Sequence, residues 1–376
     1  MKREATKRKG KLANFGRMLG GMKQSKKNRR NSGKGGAAQE PGIQLGDLEH
    51  LRVLGTGTFG QVTLVLHSPS NRKFALKSLA KQTLVEMHLE KRIFVERDTL
   101  QNAEHPFIVT LYMTSSDTDS LYMCMELLPG GDLWALLYSK NPVLPRGTWH
   151  GLRLPHAKFY AANVLSVLSY MNESGILYRD LKPENLVLDA MGYLKLVDFG
   201  LAKKIMPSER TYTMCGTPDY LAPELISGGG YGRSCDLWSF GILLFELVTR
   251  RTPFFDENQS QMMNKIINSD QFLSGAFPKS LDSSLKELIK RLLDPNPAMR
   301  MGNLEHGVDD IWEHPWFIEL RRENIEQRAL NAPFAPPVLQ ESSNELRADP
   351  VPLTSGSAHF FSGFDMDLKP PTYPDE

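Results

Sequence analysis

Cysteine is scarce in this chain of 376 residues: there are three, Cys124, Cys215 and Cys235. An odd number in apolar or motif-like surroundings argues against a disulfide framework and fits a reducing compartment. No apolar run approaches the roughly 18 residues needed to cross a bilayer. The N-terminus lacks the apolar segment of a secretory signal, and Lys2 stands where N-myristoylation needs glycine. Acid is also missing, from residues 5–38; a basic stretch of that kind is compatible with an organellar transit peptide as well as with a solvated polycation. Thirteen Lys and Arg fall within residues 1–34 against Glu4 alone, whereas the whole chain has a formal net charge of +2, so the remainder is net −10.

What is present divides into four parts. Residues 1–45 are rich in Lys, Arg, Gly, Ser and Asn and have too little apolar surface to offset the entropy of ordering, which predicts a disordered basic arm. Residues 46–128 alternate short apolar runs (51–54, 62–66, 73–79, 107–113, 120–126) around one helical stretch near 84–102, which predicts a small sheet-rich lobe. Residues 129–317 change to helical periodicity, clearest at 155–174 and at 234–249, where a segment apolar on every face follows Ser234 as a predicted cap. Residues 318–376 become Pro-rich and lose periodicity, which predicts an extended tail over the surface. The fold class is α+β, in two lobes.

Leu54, Gly55, Thr56, Gly57, Thr58, Phe59, Gly60 and, two residues on, Val62 form a glycine-rich turn between two strand-like runs. Without side chains in the way, backbone N–H groups at such a turn approach phosphate oxygens. A dinucleotide-binding turn has the same glycine spacing but opens a helix, and here a strand continues. Ala75 and Lys77 lie on the next strand, where a lysine reaches back to the α- and β-phosphates. Its carboxylate partner belongs on the following helix, and Glu96 fits better than Glu90. Taken singly, each of these residues is as well explained as an ordinary solvated or core side chain.

Three further segments narrow the reading: YRDLKPEN at 178–185, DFG at 198–200 and APE at 222–224. In that order and spacing they match the catalytic loop, metal-binding motif and activation-segment end of protein kinases, with Tyr178 in place of the usual His. Phosphoryl transfer needs a base to orient the hydroxyl and cations over the phosphates. Asp180 is the candidate base, Lys182 a cation beside the transferring group, and Asn185 with Asp198 the oxygen ligands for Mg²⁺.

On those residues the chain resembles the AGC group of serine/threonine kinases over roughly residues 46–337. TYTMCGTPDYLAPE at 211–224, PHAKFYAAN at 155–163 and HPWF at 314–317 carry the resemblance. It extends to the catalytic regions of cyclic-nucleotide-dependent kinases, with LYMCMELLPGGDLW at 121–134 and KLVDFGLAKKI at 195–205 closer to the cGMP-dependent branch. The resemblance implies a two-lobed kinase that uses ATP and Mg²⁺. Leu54, Val62, Ala75, Met125 and Val187 would enclose the adenine, Glu126 and Leu128 would offer hinge hydrogen bonds, and Asp132 would bind the ribose. Asp132, Glu184 and Glu246 would receive arginines N-terminal to the target residue, and Met214, Pro218 and Leu221 would shape the pocket for an apolar residue after it.

Glu246 has an independent argument, because a charge on an apolar core helix is costly unless paired or functional. Asp236, on the same helix, is expected to support the catalytic loop. Thr213 is the expected activating phosphothreonine, with Arg179, Lys203 and Arg92 as its basic partners. Arg29-Arg30-Asn31-Ser32 fits a basic substrate pattern and makes Ser32 an autophosphorylation candidate. Expected partners are basic protein substrates, an upstream kinase and a separate cyclic-nucleotide-binding regulatory subunit, since no part of the chain is left over for such domains. The expected location is cytoplasmic or nuclear. A catalytically inert kinase-like scaffold with a nucleic-acid- or membrane-binding arm is the alternative. The pattern departs from the group at the long connection 135–154 and at 343–346, where SNEL replaces the expected Phe-Asp pair, and Phe361-Ser-Gly-Phe364-Asp365 reads equally as a docking motif or an unanchored end.

Overall fold

A computed structural model describes residues 42–57, 60–139, 147–148, 150–206, 208–336 and 358–367. The arm with Ser32, the turn residues Thr58 and Phe59, part of the long connection (140–146 and 149) and the SNEL segment lie outside the described residues.

Five antiparallel strands form the first lobe: β1 (Leu48–Gly57), β2 (Gly60–His67), β3 (Arg72–Ala80), β4 (Leu111–Ser116) and β5 (Ser120–Met125). The expected helix near 84–102 is two helices, α1 (Lys81–Glu86) and α2 (Glu90–Asn102). The break falls at His88, whose φ of 55° is left-handed and cannot continue a helix. The strand expected at 107–113 starts later, at Leu111; upstream of it Ile108 makes a single parallel bridge to Leu196 of the other lobe.

The second lobe follows with α3 (Leu133–Tyr138), α4 (Leu154–Glu173), the short strands β6 (Ile176–Leu177), β7 (Leu186–Leu188), β8 (Leu194–Leu196) and β9 (Lys203–Lys204), then α5 (Pro223–Ile226), α6 (Ser234–Thr249), α7 (Gln259–Ile267), α8 (Ser269–Ala276) and α9 (Ser283–Leu292). Every residue of α6 is buried, as its uniform apolarity predicts. Ser234 does not cap it: it is the first helical residue, and its carbonyl accepts from Arg300 instead. Helices α4 and α9 pack on α6, which makes it the axis of this lobe.

The tail is less extended than its composition suggests. It contains a short helix at Arg322–Glu326, and Arg328 pins it by donating to Pro106 O (2.8 Å) and pairing with Asp189 (2.8 Å). Residues 358–367 dock on the first lobe, where β10 (Met366–Asp367) pairs with β4 as a sixth strand. Phe361 and Phe364 are buried, so the C-terminal Phe motif is anchored.

Candidate active site

Strand register assembles the upper wall. Val62 pairs with Lys77, Lys77 with Met123, and Ala75 with Met125. Paired residues, and residues two apart, share a face, so Val62, Ala75, Lys77 and Met125 line one side of the sheet. Gly60 is dictated by close approach: a Cβ there would sit 1.8 Å from Ser78 O. Leu54 is 40% exposed on β1, available to cover a ligand rather than committed to the core.

At the back of the cleft Lys77 Nζ meets Glu96 Oε1 at 2.6 Å and Asp198 Oδ1 at 3.9 Å. Burial alone disfavours the Lys77 ammonium, but the Glu96 and Asp198 carboxylates outweigh it and raise its pKa above the usual lysine value. Glu90, the other acid considered, opens α2 instead. A cavity of about 520 Å³ runs between these groups, touching Gly57, Gly60, Val62, Lys77, Asp180 and Asp198.

The lower wall comes from the loop between β6 and β7. Asp236 holds it from beneath, accepting from the Tyr178 and Arg179 N–H groups at 2.8 Å each. Above this support, Asp180 is held on three sides. Lys182 Nζ lies 2.9 Å from Oδ2, Asn185 Nδ2 donates to Oδ2 at 3.0 Å, and Thr217 Oγ1 donates to Oδ1 at 2.9 Å. Lys182 also donates to Thr217 at 3.0 Å, closing a ring of contacts between loop and activation segment. Asp198 Oδ1 accepts from Gly200 N–H at 3.0 Å, which turns the DFG segment inward.

Toward the hinge, Glu126 N–H bonds Thr110 O at 2.9 Å, so its carbonyl and the Leu128 N–H are the backbone groups left for a base. The Glu126 side chain is taken by Lys195 at 2.6 Å. Asp132 caps α3 through Ala135 N–H at 2.6 Å and bridges Val187, bringing both to the cleft's lower edge.

The peptide side holds the remaining candidates. Glu184 is exposed in a 3₁₀ turn, while Glu246 is buried with one oxygen taking the Tyr138 hydroxyl (2.6 Å) and the other the Tyr220 hydroxyl. Met214 is exposed, Pro218 starts a 3₁₀ turn, and Leu221 is buried in the core. Thr213 is exposed and its carbonyl accepts from Tyr231 Oη at 2.6 Å; Tyr231 in turn takes Arg179 Nη1 at 3.3 Å. Lys203 pairs with Glu209 at 3.6 Å, and Arg92 lines the α2 side of the cavity. The activation segment is anchored by a bidentate pair, Arg300 to Glu224 at 2.7 and 2.9 Å.

Sequence reasoning missed Thr217, Lys195, Tyr138 and Arg300. Their partners lie 35 to 108 residues away in the chain, and no local periodicity reports such a contact. For Thr217 one signal existed, its place between the glycine and proline of a turn leading to APE.

A family model described as protein kinase domain matches residues 48–317. The yeast Saccharomyces cerevisiae cAMP-dependent protein kinase type 3 is 38% identical over 308 residues, 82% of this chain and 74% of the relative. The human cAMP-dependent protein kinase catalytic subunit PRKX is 39% identical over 302 residues, 80% of each. Human cGMP-dependent protein kinase 2 is 41% identical over 288 residues, 77% of this chain but 36% of that longer protein. The two branches therefore stand at similar distance. Nothing in these relatives favours the inert scaffold: the chain belongs to the protein kinase family and is a serine/threonine protein kinase, similar to the cAMP- and cGMP-dependent enzymes.

Proposed function

We propose that this kinase phosphorylates serine or threonine preceded by arginine, using ATP with Mg²⁺ in the cleft between the lobes. Bound Mg²⁺·ATP supplies the γ-phosphoryl group and the charge neutralisation that its transfer requires. The donor set suits that cation. Among the described residues no group of three or more His, Cys, Asp or Glu is placed to hold a metal. Asp198 and Asn185 Oδ1 are hard oxygens that leave the other positions to phosphate and water, the usual state of Mg²⁺ in phosphotransferases.

The three-sided hold on the Asp180 carboxylate carries this reading. Asp180 accepts the proton of the substrate hydroxyl as its oxygen attacks, and Lys182 keeps a cation beside it. Lys77, fixed by Glu96, meets the phosphates under the glycine-rich turn. Leu54, Val62, Ala75, Met125 and Val187 enclose the base, Glu126 O and Leu128 N–H pair with it, and Asp132 takes the ribose. Met214, Pro218 and Leu221 face the residue after the target. Phosphate on Thr213 draws in Arg179, Lys203 and Arg92, supplied by an upstream kinase. A separate regulatory subunit responds to cyclic nucleotide, and the enzyme works in the cytoplasm or nucleus. A pull-down with the full chain should recover a cyclic-nucleotide-binding protein whose yield changes with added cAMP or cGMP; equal yield throughout counts against that subunit.

Glu184 and Glu246 receive the arginine, and this predicts a pH dependence. Burial first, with the nearby Glu184 and Asp219 carboxylates, pushes the Glu246 carboxyl up to about 7, against the lowering effect of the Tyr138 hydrogen bond. Among the described residues, the Tyr220 hydroxyl and, beyond Tyr138, the Arg250 guanidinium also face it. An acid with a raised pKa is ionised only above it, so Glu246 loses its charge as pH falls from 8 to 6. KM for an arginine-bearing serine peptide should rise about tenfold over that interval, while an alanine analogue changes little. The same KM profile for both peptides would remove Glu246 from recognition.

A further inference from the structure

Tyr138 ends α3, and nothing in the sequence marks it as more than the last apolar position of a short helix. Its hydroxyl donates to Glu246 Oε1 at 2.6 Å across 108 residues of chain. The ring is fixed by two neighbours. The Trp134 indole, one helical turn earlier, stacks on it with centroids 5.2 Å apart and planes at 26°. The Arg250 guanidinium, held at the end of α6 by a left-handed φ of 57°, lies 5.3 Å from the ring centre and 3.4 Å from the Tyr138 carbonyl. Trp134 is 48% exposed, so this costly aromatic surface faces solvent beside Asp132 instead of the core.

An ionised carboxylate has about four lone-pair sites. At Glu246 the Tyr138 and Tyr220 hydroxyls each occupy one oxygen, and among the described residues no basic side chain pairs with it. Among the described residues the remaining lone pairs are therefore oriented and unspent, in a buried position with Glu184 close enough to repel the charge. That is the arrangement a planar guanidinium satisfies with two parallel hydrogen bonds.

We propose that Tyr138 is a positioning residue for substrate arginine: its hydroxyl fixes the Glu246 carboxylate in the orientation that receives the guanidinium, and Trp134 with Arg250 fixes Tyr138. The proposal rests on the reading of Glu246 and Glu184 as the arginine subsite. Arginine selectivity in this enzyme is then set partly from α3, outside the acids themselves.

The test uses the full chain and two serine peptides, one with arginines before the target and one with alanines. Loss of one hydrogen bond to a charged group is worth about tenfold. Tyr138→Phe should raise KM for the arginine peptide about tenfold, hold kcat within about twofold, and leave KM for the alanine peptide in place. Trp134→Ala, at an exposed position, should shift the same KM about threefold. Combined with Glu246→Gln, Tyr138→Phe should add nothing further, because both act through one carboxylate. Equal KM changes on both peptides, or full additivity with Glu246→Gln, would overturn the proposal. If Glu246→Gln alone leaves arginine discrimination intact, the subsite reading itself fails; if it abolishes discrimination while Tyr138→Phe and Trp134→Ala leave KM for the arginine peptide unchanged, only the role of Tyr138 fails.

Discussion

Asp180→Asn is expected to lower kcat by about 10²–10⁴-fold, the range that a positioned general base contributes, while ATP still binds. The substitution is nearly isosteric. Thr217 can still donate to the remaining carbonyl oxygen, but the amide nitrogen has no lone pair to take the hydroxyl proton and faces Lys182, itself a donor 2.9 Å from Oδ2. The variant should therefore fold, bind nucleotide with similar affinity and fail at transfer. Radiolabel transfer to a serine peptide with titration of nucleotide binding separates the two effects. Equal transfer by both proteins would refute the role of Asp180.

The second large effect concerns the tail. Phe364 is fully buried, edge-on to Phe94 of α2 at 5.7 Å, with Arg97 of the same helix stacked on both rings. Arg97 Nη1 donates to Gly363 O at 2.5 Å and Phe364 O at 3.1 Å, and Thr114 Oγ1 donates to Phe364 O at 2.7 Å. Phe364→Ala removes the aromatic anchor, at about 3–5 kcal/mol for a buried Phe. The loss is capped by release of residues 358–367. Because Glu96 precedes Arg97 on α2, loosening this helix also loosens the Lys77–Glu96 pair. A drop of several degrees in Tm should accompany a several-fold rise in KM for ATP. Unchanged values for both would show that the docked tail does not hold α2.

Most of the candidate site was legible in the sequence because its proposed catalytic groups sit in short contiguous segments. YRDLKPEN and DFG place Asp180, Lys182, Asn185 and Asp198 within 19 residues, so the match of two short motifs to those of kinases suggested the site. Glu96 was harder, since several acids crowd 86–96, and only the turn of α2 after the break at His88 selects one of them. The whole-helix burial of α6 followed from its uniform apolarity, and with it the need to explain Asp236 and Glu246. The partners of those two acids were not legible. Asp236 accepts from two backbone N–H groups and Glu246 takes one tyrosine hydroxyl on each oxygen from two other elements, and neither leaves a pattern in sequence. The docking of Phe361 and Phe364 was also undecided from composition, because the outcome depends on the Arg97 and Thr114 donors on distant elements.

The most direct test is a crystal structure of the full chain with a non-hydrolysable ATP analogue, Mg²⁺ and an arginine-bearing serine peptide. Asp198 and Asn185 should ligate the metal, Lys77 should contact the phosphates, and the serine hydroxyl should lie within hydrogen-bond reach of Asp180. A nucleotide seated elsewhere, or a hydroxyl turned away from Asp180 with the metal on other groups, would contradict the account.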